Sequence, residues 1–92
     1  MIVYAECIFF IPDVHSLKEK RSVLKKMTDR VKNDFNVSVA EIDYQDLWQR
    51  TTIALVSVAS SKEAAEGETR RAIRFLESNP EWEMTDLLLD YY

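Results

Sequence analysis

The chain has 92 residues, with 12 Lys and Arg against 16 Asp and Glu, 47% hydrophobic and 30% charged residues, and a single cysteine. That make-up fits one compact domain over residues 1–92 and excludes disordered, collagen-like and disulfide-stapled classes. One glycine and two prolines leave no Walker A loop, GxGxxG turn or GXXG clamp to wrap backbone around phosphate. Cys7 has no disulfide partner, and no long apolar run or signal-like segment occurs, so the expected location is a reducing cytoplasm without membrane contact.

Residues 2–11 are β-branched and aromatic up to Pro12, which predicts a first strand. Its odd positions Val3, Ala5, Cys7, Phe9 and Ile11 are all apolar, so that side should pack on helices. The even side, with Tyr4, Ile8 and Phe10, is mixed but still apolar. Ser16-Leu17-Lys18-Glu19 reads as a capping box: the serine hydroxyl accepts from the third helical N–H, and the glutamate reaches back to the serine N–H. Leu17, Leu24, Met27, Val31 and Phe35 follow a 3.6 period and carry this first helix to about Asp34.

Asn36 to Asp43 alternates as a half-buried second strand, Tyr44 to Gln49 is a polar connection containing Trp48, and Arg50 to Ala59 is apolar on both parities, as in a central strand. Ser60 and Ser61 offer a second N-cap before the stripe Ala65, Thr69, Ala72, Ile73 and Leu76, with Glu66 and Arg70 as an i,i+4 pair. Asn79-Pro80 ends that helix, and Trp82 to Tyr92 closes the chain as a fourth strand. The order βαββαβ predicts an α+β, ferredoxin-like fold: a four-stranded antiparallel sheet in order 4-1-3-2 with both helices on one face.

Charge is unevenly placed. Residues 18–32 hold seven cations against two anions, a local +5, whereas Glu77 to the C-terminus holds five anions and no cation. Lys18, Arg21, Lys25 and Lys32 line up along one flank of the first helix. The two charged regions either orient the domain on a partner or attract each other within the molecule.

No catalytic constellation is expected. Cys7 belongs to the buried side of its strand, His15 precedes a helix N-terminus without partners in sequence, and Asp13 and His15 are too few ligands for a metal. An acylphosphatase would need a glycine-rich anion loop where this chain has Pro12-Asp13-Val14-His15. RNA recognition of the usual sheet type is also disfavoured, because Thr51 to Val58 has no aromatic residue on which a base could stack. The apolar even side of the first strand (Tyr4, Ile8, Phe10) instead points to coverage by another protein or a second copy.

Ser16-Leu17-Lys18-Glu19-Lys20-Arg21, Phe35-Asn36-Val37-Ser38-Val39-Ala40-Glu41 and Gln45-Asp46-Leu47-Trp48-Gln49-Arg50 together resemble the YlxP-like family of small bacterial proteins of unknown function, over essentially the whole chain. The resemblance implies the ferredoxin-like fold and a bacterial cytosolic protein, often encoded beside translation-initiation and ribosome-maturation factors; it implies no catalytic residue and no cofactor. Two readings of these blocks stand open. Lys20, Arg21, Glu41, Gln49 and Arg50 form an internal polar network with Trp48 as its apolar cover, or they form a surface for phosphate and base contacts. The expectation is a non-enzymatic accessory factor that docks on ribosomal RNA or a ribosome-associated protein through Lys18, Lys20, Arg21, Lys25, Lys32, Gln45, Trp48, Gln49 and Arg50. The alternative is a module that dimerises through Tyr4, Ile8 and Phe10.

Overall fold

The computed structural model describes residues 1–92. Elements follow in the order β1 (Ile2–Phe10), α1 (Leu17–Asp34), β2 (Ser38–Asp43), β3 (Arg50–Val58), α2 (Lys62–Glu77) and β4 (Glu83–Tyr91). The strands form one antiparallel sheet in the order β2-β3-β1-β4, which is the predicted 4-1-3-2 arrangement read from the other edge. This is the ferredoxin-like plan.

Alternation in β1 decides which face the helices cover. Val3, Ala5, Cys7 and Phe9 are 0% exposed, and the last three meet Ile53, Leu55, Val23, Leu24, Met27, Val31, Ala72, Ile73 and Leu76 in one core. Each large apolar side chain removed from water here contributes roughly 1.5–3 kcal/mol. Burial in this core also pushes the Cys7 thiol up to about 12, with the Glu77 carboxylate adding to the effect; a neutral thiol of that kind is a poor nucleophile.

Both helices start as their sequences demand, with one difference. The Ser16 hydroxyl accepts from the Glu19 N–H at 3.1 Å, but the Glu19 carboxylate accepts from the His15 N–H, at 3.1 Å, and not from that of Ser16. The chain enters the helix extended at Ser16, which brings the preceding N–H within reach. In α2 the cap is Ser61, which accepts from the Ala64 N–H at 3.2 Å. Trp82 stands just before β4 and is a core residue: it stacks on Phe9 with ring centroids 4.3 Å apart, and its indole N–H donates to the Leu76 carbonyl at 2.6 Å. The tryptophan thereby closes the end of the core while keeping its one donor satisfied.

Candidate functional site

One end of the molecule gathers the C-terminal end of β1, the start of α1, the β2–β3 connection and the start of β4. The connection is a tight turn, in which the Tyr44 carbonyl accepts from the Leu47 N–H at 3.1 Å. Tyr44 itself sits in the left-handed region at φ 60°, a conformation that costs a non-glycine residue roughly 1–2 kcal/mol. A buried lysine holds it there. Lys20 is 1% exposed, and its Nζ donates to the Tyr44 carbonyl at 2.6 Å and pairs with Glu41 Oε2 at 2.9 Å. Thr51 Oγ1 donates to the same Glu41 oxygen at 2.6 Å. An ammonium taken out of water is tolerated only with such partners, so α1, β2, β3 and the turn are clamped at one point.

What the clamp presents is a groove of about 700 Å³ lined by Phe10, Asp46, Leu47, Trp48, Gln49, Arg50 and Thr85. Trp48 is 50% exposed and Phe10 41%. Arg50 lies over the Tyr44 ring, its guanidinium carbon 4.5 Å from the centroid, and has no carboxylate partner within salt-bridge distance. The Gln49 amide donates to the Pro12 carbonyl at 2.8 Å and ties the turn to the β1–α1 connection. The groove is thus an apolar floor with one free, planar cation at its rim.

The residues expected to form a site divide between interior and surface. Lys20 does not belong to a docking surface: it is buried because its position on α1 faces the β2–β3 hairpin, where Glu41 and Tyr44 consume its donors. Trp48 does not cover that network, since half of it is in water. Glu41 and Lys20 therefore follow the internal reading, whereas Trp48 and Arg50 stand open. Gln45 is exposed at the tip of the turn.

Along α1, Lys18, Arg21, Lys25 and Lys32 are all exposed, but Lys25 is engaged by Asp29 at 2.7 Å. That contact, a hydrogen bond first and Coulomb attraction second, holds the Lys25 ammonium above its ordinary range; Asp29 is lowered, chiefly by its hydrogen bond from Lys25 and with a contribution from Lys32. Lys26 pairs with Glu81 across to the C-terminal region and Arg30 with Asp34 at 3.3 Å. The attraction between the basic and acidic regions is thus realised once, at Lys26. Lys18, Arg21 and Lys32 remain without a salt-bridge partner.

On the other side of the sheet, Tyr4 and Ile8 are half-buried and Phe10 is exposed, together with Ile2, Val56, Val58 and Leu88. Partial burial raises the Tyr4 phenol, and the neighbouring Glu6 raises it further. Sequence reasoning did not single out Leu47 or Thr85. Leu47 is an apolar residue in a polar turn, and that contrast was the available signal; Thr85 joins the groove only because β4 shifts register between Ile8 and Phe9.

A ferredoxin-like sheet with one face open and an aromatic groove at its end is an architecture that hosts many activities and specifies none of them. The chain belongs to the family described as "Protein of unknown function (DUF503)", which matches residues 2–88. It is 52% identical over 85 residues to the "Uncharacterized protein YlxP" of Bacillus subtilis (strain 168), a match that covers 92% of each chain. No helix is long and apolar enough to cross a membrane.

Proposed function

We propose that the protein is a non-enzymatic accessory factor of the cytoplasm that docks on unpaired segments of RNA, ribosomal RNA being the class suggested by the family's translational setting. The observation that carries this reading is the juxtaposition, at one end of the fold, of an exposed indole, an unpaired guanidinium and the free cations that begin α1. Trp48 offers a face on which a base stacks, worth about 1–3 kcal/mol per base, and Arg50 offers a fork for the adjoining phosphate. Lys18 and Arg21 stand among the first five residues of the helix that Lys20 pins to the same loop. Lys32, on the last turn of the same helix, extends the row.

Acidic neighbours shape the specificity. Asp46 lines the groove and the chain carries a net charge of -4, which repels a continuous duplex backbone. A splayed base with two or three phosphates suits this surface better.

Fluorescence tests the reading, because Trp82 is buried and Trp48 is not. Titration with a single-stranded oligouridylate should quench the exposed indole, with a salt slope near -0.7 for each phosphate contact. Quenching should vanish in Trp48→Phe. Unchanged emission at low salt, or sedimentation of the protein with ribosomal proteins stripped of RNA, would overturn the RNA reading in favour of a protein partner.

A further inference from the structure

The helix-free face of the sheet is not explained by a groove at its end. Its rows can be read from the strand register. Val58 stands beside Ile2; Ser38, Val56, Tyr4 and Asp90 form the next row; Ala40, Ala54, Glu6 and Leu88 the third; Asp43, Thr52, Ile8 and Asp86 the fourth. Apolar side chains dominate β1 and β3, the acids Asp86 and Asp90 lie on the β4 edge, and β2 brings only small residues, Ser38 and Ala40, to the upper rows.

We propose that this face takes a second copy of the chain, packed sheet to sheet about a two-fold axis that runs along the strands. Three observations commit it to that occupant. The first is shape. An axis along the strands lays β4 of one copy over β2 of the other and β1 over β3, row upon row. Leu88, the large residue of the third row, then falls on Ala40 of the second copy, Glu6 falls on Ala54, and Tyr4 falls on Val56. Large residues meet small ones across the face, as close packing requires.

The second observation is charge. The other in-plane two-fold axis, across the strands, would set β4 on β4 and bring Asp90 against Asp86. The axis along the strands sets Asp90 over Ser38 instead, a hydroxyl that can donate to it, and confines acid facing acid to Asp86 over Asp43 in the fourth row, at the edge of the face. Glu6, the one charge near the centre, stands beside the Tyr4 hydroxyl of its own chain, so it does not enter the interface without a donor. The third is extent. Four strands about 4.8 Å apart, over rows spaced about 6.8 Å, give a face near 500 Å² in projection. Two such faces reach about 1,000 Å², the size at which a specific interface becomes credible.

This axis has a functional corollary, which rests on the preceding reading of the groove. Rows keep their order along the axis, so both grooves and both α1 N-termini emerge at the same pole. A dimer therefore offers two docking ends side by side, and the second contact of a bound strand becomes intramolecular.

Crosslinking separates this geometry from its rivals. Ala40 and Leu88 share a row three strand spacings apart, about 14 Å, far beyond the ~7 Å within which two Cα atoms can be bridged. In the double variant Ala40→Cys with Leu88→Cys, mild oxidation should give a covalent dimer in high yield, because Cys7 is buried and takes no part. Sedimentation equilibrium of the natural chain should show dimers in the micromolar range, and Tyr4→Glu should weaken association roughly thirtyfold or more with an unchanged far-ultraviolet spectrum. A monomer at high micromolar concentration would overturn the proposal. Crosslinking by Leu88→Cys alone, as efficient as the double variant, would overturn the axis, since it requires β4 on β4. Trp48→Phe should abolish oligonucleotide quenching without altering the dimer, so failure of the groove and failure of the interface read out separately.

Discussion

Phe9 and Phe10 are adjacent residues of one strand and meet opposite fates. Phe9 is fully buried under the helices and stacked on Trp82, whereas Phe10 is 41% exposed at the edge of the groove. The same contrast separates the two faces of the whole sheet: an interior of well-packed residues on one side, and on the other an apolar surface that the chain leaves uncovered. A hydrophobic residue on the first face contributes to stability, and one on the second is available to a partner. The difference lies in what the helices reach, not in residue type.

Paired substitutions test this contrast most strongly. Phe9→Ala should cost about 3–5 kcal/mol in urea unfolding, as for other buried aromatic truncations, and Phe10→Ala less than about 1 kcal/mol. Similar losses for both would mean that the open face is part of the folded core. The lysines of α1 give the next largest difference. Lys20→Ala should cost about 2–4 kcal/mol, because it leaves Glu41 without its buried partner and frees the Tyr44 carbonyl. Lys25→Ala should leave the urea midpoint where it is, since its pair with Asp29 is in water. A double-mutant cycle with Glu41→Gln would sharpen the first value by isolating the pair.

Cys7 yields a smaller effect, with a definite sign. Its folded-state titration near 12 lies above the ~8.5 of an unfolded thiol. Stability from this group is therefore fully present below about pH 8.5 and is lost as pH rises from there towards 12. Thermal melts of the natural chain and of Cys7→Ala should diverge across that window, the natural chain falling more steeply, and native Cys7 should resist a thiol-directed disulfide reagent at neutral pH. Stability is also little affected at Lys18, Arg21 and Lys32. Reversing all three charges should shift the melting temperature little while weakening oligonucleotide binding and flattening its salt slope by about two units; an unchanged slope would remove α1 from the docking surface.

The alternation of β1, the two amphipathic helical stripes, both serine caps and the positions of the breaks were legible one element at a time, because each depends on contacts a few residues apart. The strand order followed from their succession. Family membership was legible too, through the blocks around Ser16, Phe35 and Gln45. Lys20 was not. In sequence it is one cation among seven, and nothing local distinguishes it from Lys25; only the packing of α1 against the β2–β3 hairpin brings Glu41 and the Tyr44 carbonyl to its ammonium. Trp48 and Trp82 invert in the same way. The tryptophan in a conspicuous polar loop is open to water, and the one that seemed merely to begin a strand stacks on Phe9 in the core. The local pattern determined which residues face together along each element, since period and capping are properties of a few consecutive bonds. Which of those faces lost its water was decided in three dimensions, because burial is a property of what arrives from elsewhere in the chain.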